Sequence, residues 1–226
     1  MPLPASQLEA ESYLRLMVEA TSKIGKTRSV GQSLCKSFGM TYIIQCGTQS
    51  SMDPLKRVTK KFEYDLIRDE SQLETAIKSA RVGVKEGKFK AIFLDDFNLY
   101  ATYLQTELEI QSRNAKGEPD GRKFWPEYHR RLGNTISRLM DVKAHFVMTA
   151  HPSGFMGKSA SEIPGVFTDL VVMDSKKGRR VFVLNSEDTP GRSCRSYDAE
   201  IEMEADCGEL WKLFQTAAKE PVPPKK

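Results

Sequence analysis

The stretch from Leu14 to Val30 constrains the fold of this chain of 226 residues more than any other part of the sequence. It opens with an apolar run, which is typical of a buried strand. A short polar turn, Thr21–Ile24, breaks that run, and the chain restarts as a helix at Gly25-Lys26-Thr27. The stretch therefore predicts a strand, a loop and a helix in immediate succession.

The loop in this stretch matches the phosphate-binding pattern G-x-x-x-x-G-K-[ST], except that Ala20 stands where the first glycine should be. Gly-Lys-Thr alone also occurs in surface turns, but the strand before it and the helix after it favour the phosphate loop. Such a loop presents backbone N–H groups at a helix N-terminus, where the helix dipole also favours an anion. We expect Lys26 to reach the outer phosphates of a nucleotide and the Thr27 hydroxyl to ligate Mg²⁺. The residues expected to bind the nucleotide are Thr21, Ser22, Lys23, Ile24, Gly25, Lys26, Thr27 and Arg28.

Ala20 is a departure with a physical consequence, because alanine tolerates a positive φ much less well than glycine does. Either the loop keeps an ordinary conformation at Ala20, or its grip on the nucleotide is altered. The backbone angles of the loop distinguish these two outcomes.

Apolar segments alternate with amphipathic segments along the rest of the chain, which is the pattern of an α/β domain with a mainly parallel sheet flanked by helices. Ser71-x-x-Glu74 is expected to form a capping box that opens a helix at about residue 72. Two strands, Asp169–Asp174 and Arg180–Asn185, flank a turn and predict a C-terminal β-hairpin. One domain is expected over 13–219, between a loose lead-in (1–12) and a flexible tail (220–226). Other strands are expected at 41–46, 62–67, 90–96 and 144–150, and helices at 27–38, 72–85, 97–112, 124–140 and 209–219.

Polar side chains follow several of these strands at the ends where parallel sheets bind their ligands. Asp95 and Asp96 end an apolar strand, and a carboxylate there can hold Mg²⁺ opposite Thr27. We assign the metal to Asp95 and the activation of the attacking water to Asp96, while an acid here is also common as the N-cap of the next helix. His151 is expected to contact the γ-phosphate or to sense its loss, and an ordinary histidine at a strand end is the alternative. Two more candidates are Thr149 as the sensor and Gln45 as a residue that orders water.

Arg192 and Arg195 lie in a stretch that contains Pro and Gly and follows the hairpin. Arginines on a projecting segment can complete the site of a neighbouring subunit by supplying charge to the transition state. Ordinary surface arginines are the alternative. We assign both residues to catalysis in trans, which makes the active form an oligomer.

The formal net charge is +4, and basic residues are concentrated in two clusters, one over 56–61 and one over 176–180. Such clusters can follow a nucleic-acid backbone, although a charged run is more often a solvated face. The Gly/Ser-rich loop 153–161, which contains Lys158, is a further candidate for contact with DNA.

The remaining sequence features exclude several classes of protein. The cysteines are widely spaced and form no C-x-x-C, which argues against a zinc site or a disulfide framework. The apolar stretches are too short to span a membrane, and the N-terminal residues lack the pattern of a secretory signal. We therefore expect a cytoplasmic protein without a membrane partner.

The whole pattern resembles the RecA-like ATPases of bacteriophages, which are nucleotide-binding or single-strand-annealing-type recombination proteins. The resemblance implies a RecA-like P-loop core in which another strand separates the phosphate-loop strand from the acidic strand. It also implies ATP and Mg²⁺ as cofactors, a homo-oligomeric ring or filament, and single-stranded DNA as a partner. One departure is that the second strand ends in Gln45-Cys46 rather than in a clear acid. The resemblance covers about Leu14 to Tyr197 and is carried by Gly25-Lys26-Thr27, Ile92–Asp96, Phe146–His151, and Pro164-Gly165 followed by the basic hairpin, Arg192 and Arg195.

More than one function is compatible with these features. The leading interpretation is an ATP-hydrolysing protein that acts on single-stranded DNA in phage-type recombination or repair, in the host cytoplasm if the source is viral. A DNA-packaging or helicase-type motor subunit uses the same core, although a chain of this length is short for a packaging terminase with a nuclease domain. A nucleotide-binding structural protein without turnover is the third interpretation, and Ala20 favours it.

Overall fold

The computed structural model describes residues 13–217, apart from 22, 115, 116, 119, 153–166, 168 and 186–198. Among these residues the backbone forms one eight-stranded sheet, in the order β3-β2-β4-β5-β1-β6-β7-β8. The strands are β1 (Arg15–Glu19), β2 (Thr41–Gln45), β3 (Phe62–Leu66), β4 (Ala91–Asp95), β5 (His145–Ala150), β6 (Asp169–Lys176), β7 (Arg179–Leu184) and β8 (Ile201–Glu204).

The sheet is parallel from β3 to β6 and antiparallel beyond β6. β5 lies between the phosphate-loop strand β1 and the acidic strand β4, as the sequence resemblance implied. β2 and β4 are buried at every position, because helices cover both faces of the sheet at its centre. The carboxyl ends of β1, β2, β4 and β5 therefore meet at one edge of the sheet.

Helices pack on both faces of the sheet and enclose two hydrophobic clusters. One cluster lies beneath α3, α4 and α5 and includes Leu73 and Leu132. The other lies beneath α1, α2 and α6 and includes Val30, Leu55 and Phe214. The helices are α1 (Lys26–Ser37), α2 (Asp53–Lys56), α3 (Glu70–Lys85), α4 (Phe97–Gln111), α5 (Gly121–Met140) and α6 (Cys207–Ala217), with a short 3-10 helix at Gln49–Met52.

The predicted capping box at Ser71-x-x-Glu74 is wrong, because α3 begins directly after Asp69, which is its N-cap. Asp69 Oδ1 accepts a hydrogen bond from the backbone N–H of Gln72 at 2.9 Å. Gln72 Oε1 in turn accepts one from the backbone N–H of Arg68 at 2.9 Å. Reciprocal contacts of the capping-box kind are thus present, but slightly earlier in the sequence, since Asp caps a helix as well as Ser does.

Three further features differ from the sequence-based expectation. The short helix α2 was not predicted, and Pro54 lies in its first turn, where a missing N–H costs nothing. α5 begins at Gly121 instead of residue 124, because the Asp120 side chain caps it by accepting from the Arg122 N–H at 3.1 Å. The edge strand β8 was not predicted, since its four residues are too few for a clear period.

The predicted C-terminal hairpin is confirmed as β6 and β7, which pair in antiparallel register. Lys177 and Gly178 form its turn with φ angles of 49° and 78°. Positive φ at both central residues is the requirement of a tight two-residue hairpin turn, and glycine meets it without strain. This turn fixes the register in which Arg180 lies opposite Ser175.

The structure leaves some predictions about the chain untested. The lead-in 1–12 and the tail 220–226 lie outside the described residues. Cys35, Cys46 and Cys207 are buried and free, as expected for structural cysteines, while Cys194 also lies outside the described ranges. None of the described helices is long and apolar enough to cross a membrane.

Candidate functional site

The described part of the loop between β1 and α1 contains two residues with a left-handed backbone. Gly25 is the N-cap of α1 and has a φ of 94°, which is in the left-handed region that glycine favours. Within the described part of the loop, the other residue with a positive φ is Lys23, at 63°. Ala20 is buried, and its N–H donates to the Ala150 carbonyl at 3.0 Å, as an extension of the β1–β5 ladder. The first of the two expected outcomes therefore holds: the loop keeps an ordinary conformation at Ala20.

Lys26 lies buried over this loop, with 8% of its surface exposed. Its Nζ donates to the carbonyl oxygens of Ala20 at 3.2 Å and Thr21 at 3.4 Å, and lies 3.8 Å from Asp96 Oδ2. Burial lowers the pKa of Lys26, and the carboxylates of Asp96 and Asp95 oppose that shift. The ammonium group thus contacts two carbonyl oxygens, the Asp96 carboxylate and the His151 ring at 3.4 Å. A phosphate oxygen is a charged acceptor that can compete with the neutral carbonyls for it.

Asp95 is the most completely buried carboxylate of the site, with 1% of its surface exposed. Thr27 Oγ1 donates to Asp95 Oδ2 at 2.5 Å, and Thr149 Oγ1 donates to Asp95 Oδ1 at 2.5 Å. Burial raises the pKa of Asp95, while these two hydroxyl donors lower it. The predicted pair of metal ligands, Thr27 and Asp95, is therefore brought together, and Thr149 orients the carboxylate from the neighbouring strand.

Asp96 is an N-cap, as one sequence-based alternative proposed, and it also faces Lys26 and His151. Its Oδ1 accepts from the backbone N–H of Asn98 at 3.0 Å, so Asp96 is the N-cap of α4. Its Oδ2 lies 2.8 Å from His151 Nε2 and near Lys26 Nζ. The predicted catalytic residues Lys26, Asp96 and His151 thus form one contact group at the ends of β4 and β5.

Asn98 is a site residue that the sequence did not reveal. Its Oδ1 accepts from the backbone N–H of His151 at 2.7 Å and so fixes the point where the chain leaves β5. Its Nδ2 is buried and has no hydrogen-bond partner among the described residues. An Asn at the start of a helix is ordinary in sequence, so no local signal marks this role.

A cleft of about 880 Å³ opens beside the phosphate loop and extends past α1 toward the hairpin and the start of α6. Two acids also line it, Glu204 and Asp206, and Asp206 is paired with Lys36 at 3.0 Å. The excess of cations makes this cleft suitable for a polyanion such as a chain of phosphates. The cationic side chains that line it are Lys23, Lys26, Arg28, Lys36, Arg179 and Arg180.

Gln45 ends β2 directly beside Asp95 in the sheet register. It is buried, with 2% exposed, and its Oε1 has no hydrogen-bond partner in the part of the chain that the structure describes. The role of Gln45 in ordering water stays a prediction. Ser22, the loop 153–161 with Lys158, and the predicted trans residues Arg192 and Arg195 lie outside the described residues.

The two basic clusters are partly engaged within the chain. In the first, Lys56 lies 3.6 Å from Asp53 and 5.0 Å from the ring centroid of Tyr64. In the second, Lys176 pairs with Glu202, and Arg180 reaches the phosphate loop. These contacts reduce the number of charges that remain for an external partner.

No protein-family model matches the sequence, and no curated protein matches it. Among solved structures, the chain matches a prototypical ATPase from the type III secretion system of pathogenic bacteria, with a TM-score of 0.53 and 17% identity over 71% of this chain and 51% of that one. It matches the assembled ATPase EscN of enteropathogenic E. coli with a TM-score of 0.53 and 17% identity over 71% of this chain and 43% of that one. A KaiC-like protein from Pyrococcus horikoshii OT3 gives a TM-score of 0.47 and 12% identity over 76% and 77% of the two chains. The chain spans about half the length of the two secretion-system ATPases.

At 17% identity the two secretion-system matches establish the fold alone. This chain has the parallel central strands, and the loop that joins β1 to α1, that the sequence predicted for that fold. The chain has the fold of the RecA-like P-loop ATPases, and the fold class predicted from the sequence is confirmed.

Proposed function

We propose that this protein binds ATP with Mg²⁺ and hydrolyses it. The observation that carries the proposal is the convergence of Lys26, Thr27, Asp95, Asp96 and His151 at one end of the sheet, over a loop whose backbone suits phosphate. The secretion-system neighbours are described as ATPases, which supports the same reaction for a chain with their fold. The cationic cleft beside the loop provides space and charge for the rest of the nucleotide.

The donor set fits a magnesium ion. Thr27 and Asp95 place a hydroxyl and a carboxylate oxygen 2.5 Å apart, and both are hard oxygen ligands. Magnesium typically keeps several waters and takes only one or two protein ligands beside the substrate phosphates, so this small set is sufficient. When bound, the ion neutralises charge on the phosphate oxygens.

The remaining residues divide the chemistry of hydrolysis between them. Lys26 supplies a cation to the outer phosphates once it leaves the Ala20 and Thr21 carbonyls. Asp96 acts as the base that orients the attacking water. His151 lies 2.8 Å from Asp96 and contacts the γ-phosphate or senses its loss. Gln45, beside Asp95 in the sheet, is the second residue placed to hold that water.

We further propose that the protein acts as a homo-oligomer on single-stranded DNA in recombination or repair, in the cytoplasm. The resemblance to phage RecA-like ATPases supports the DNA partner, and the description of EscN as an assembled ATPase supports self-association. Lys177 and Arg179 at the hairpin, with the loop 153–161, are the proposed DNA contacts. Arg192 and Arg195 are the proposed trans residues.

A steady-state ATPase assay with and without single-stranded DNA tests this function. We expect Mg²⁺-dependent turnover that rises when DNA is added. Turnover that does not respond to single-stranded DNA would favour an ATPase with another function. One such function is a packaging or helicase-type motor that acts on duplex DNA. Duplex DNA in a parallel assay separates these motors from the recombination role.

A nucleotide-binding protein without turnover is the second candidate. One observation favours it: the residue beside Asp95 in the sheet is the neutral Gln45 rather than an acid. An amide can position a water molecule but cannot accept its proton. Tight ATP binding without hydrolysis in the same assay would select this candidate.

A further inference from the structure

Arg180 connects the hairpin to the phosphate loop within a single chain. Its Nε donates to the carbonyl oxygen of Ile24, the residue before Gly25, across 156 positions of sequence. Its Nη1 donates to Ser175 Oγ at 2.5 Å. The sequence indicated a nucleic-acid contact for this arginine, whereas the structure places it against the nucleotide site.

The frame that holds Arg180 is well defined. Its backbone pairs with Ser175 in the β6–β7 register, and its carbonyl accepts from the Ala205 N–H at 3.0 Å. The tight turn at Lys177 and Gly178 sets this register. The backbone therefore aims the guanidinium at the loop from a paired strand and not from a free-standing segment.

One arm of the guanidinium lies near Gly25 of the phosphate loop and makes neither of these hydrogen bonds. Nε lies 3.5 Å and Nη2 lies 3.9 Å from the point where a side chain on Gly25 would begin. The two hydrogen bonds described above use Nε and Nη1, so Nη2 is the nitrogen near Gly25 that neither bond uses. Guanidinium groups present donors in a planar fork that matches phosphate oxygens, so this position suits a phosphate contact.

We propose that Arg180 is a phosphate-contact residue of the nucleotide site, supplied in cis by the hairpin. The inference rests on the proposed function and extends it, because it adds a cation to the site beside Lys26. It also assigns the hairpin a second task. A phosphate bound through Arg180 fixes the strand that carries the basic turn, so nucleotide occupancy and hairpin position are linked by one side chain.

A cation outside the site provides the contrast that makes this proposal testable. Lys85 is exposed at the end of α3 and does not line the cleft beside the phosphate loop. Replacing it with glutamine removes the same charge without removing a contact of the site. Ser175 holds Nη1 but presents no cation, so Ser175→Ala loosens the arginine and leaves its charge in place.

The experiment is calorimetric titration with inorganic tripolyphosphate, which presents phosphates without a base or ribose. We expect Arg180→Gln to weaken its binding by about tenfold or more, since charged hydrogen bonds contribute on that scale. Lys85→Gln should stay within about twofold of the wild type. Ser175→Ala should weaken binding less than Arg180→Gln does, because it leaves the charge of Arg180 in place. Equal weakening by Arg180→Gln and Lys85→Gln would reduce the effect to general charge and overturn the proposal, and so would binding by Arg180→Gln within about twofold of the wild type.

A second measurement uses the wild-type protein and is independent of how the variants fold. Phenylglyoxal modifies accessible arginines, and mass spectrometry locates the modified sites. Tripolyphosphate should protect Arg180 and leave Arg130, on the exposed side of α5, unchanged. Unchanged modification of Arg180 at saturating tripolyphosphate overturns the inference while the proposed function stands. A wild-type protein that binds neither tripolyphosphate nor ATP overturns both.

Discussion

The hydroxyl of Thr149 donates a hydrogen bond to Asp95 Oδ1 at 2.5 Å, from one central strand of the sheet to the next. Thr27 donates to the other oxygen of the same carboxylate. A carboxylate with 1% of its surface exposed is costly without such donors. Thr149 therefore holds Asp95, the proposed metal ligand, in place.

Thr149→Val tests this relationship, since valine has nearly the same shape and no hydroxyl. Leaving one oxygen of a buried carboxylate without its donor should lower the free energy of unfolding by about 1–3 kcal/mol. Mg²⁺-dependent ATP turnover should fall as well. Thr135→Val is the matched control, because Thr135 is equally buried but pairs with the neutral Tyr100 hydroxyl at 3.1 Å. Chemical denaturation and the ATPase assay check both variants, and equal turnover in the two would refute a role for Thr149 at the site.

Asp95→Asn should fold and bind nucleotide but lose most turnover. The amide preserves the shape of the carboxylate and can still pair with Thr27 and Thr149, while it is a much poorer ligand for Mg²⁺. Loss of a metal-orienting group typically costs well over about tenfold in rate. Steady-state turnover and calorimetry measure the two effects separately. A rate within about twofold of the wild type would move the metal role to another residue.

His145 lies at the opposite end of β5 from the site and makes stability depend on pH. Its ring stacks on Phe38 at 3.8 Å, and its Nδ1 accepts from the Leu14 N–H at 3.1 Å. Burial, with help from the nearby charge of Arg15, lowers the pKa of His145 to about 4 from the usual 6.5. The folded state thus keeps the ring neutral at a pH where the unfolded state already binds a proton.

The stability that His145 contributes is fully present above pH 6.5 and is lost as the pH falls toward about 4. The ring is half-buried, so we expect a loss of about 1–2 kcal/mol after solvent screening. Urea unfolding at several pH values measures the free energy of unfolding of the wild type and of His145→Gln. Between pH 6.5 and about 4 this free energy should fall further in the wild type than in the variant. Identical pH dependence in the two proteins would contradict this account.

The proposed trans action of Arg192 and Arg195 is tested by mixing two inactive proteins. One carries Arg192→Ala and Arg195→Ala, and the other carries Lys26→Ala. Each alone should be inactive, because a finger arginine contributes on the order of a thousandfold or more to the rate. Mixed oligomers contain some interfaces with an intact phosphate loop and intact arginines, so activity should partly return. No recovery, despite subunit exchange measured with labelled proteins, would count against the trans assignment.

The sequence predicted the central part of the fold because the signals there are local. The phosphate loop, the acidic end of β4 and the hairpin each depend on a few adjacent residues whose backbone or chemical requirements are specific. The hairpin turn was predicted over 175–178, and in the structure it is confined to Lys177 and Gly178. Asp95, Asp96 and His151 could be placed at one edge because parallel strands bring their carboxyl ends together. The structure then brought these residues into contact as that rule requires.

Residues whose roles depend on distant contacts could not be predicted. Arg180 carries the sequence signal of a basic cluster, and its contact with Ile24 exists only once β7 joins the sheet. In the sequence, Asn98 is an ordinary residue at the start of a helix. Its role depends on the end of β5, which lies beside it only in the folded chain. The start of α3 was predicted at about residue 72, whereas the helix begins at Glu70. Asp69 and Ser71 are both good N-caps, and the sequence alone does not show which of them is used.

Calorimetric titration of ATP with Mg²⁺ into the wild-type protein and Lys26→Ala shows directly whether the loop between β1 and α1 binds a nucleotide. Lys26 is the buried cation that faces the phosphate nest, and Lys85→Ala, on the exposed end of α3, is the control for loss of one charge. We predict that the wild type and Lys85→Ala bind ATP with equal affinity and that Lys26→Ala binds at least about tenfold more weakly. Equal affinity in all three proteins, or no binding by the wild type, would contradict the account.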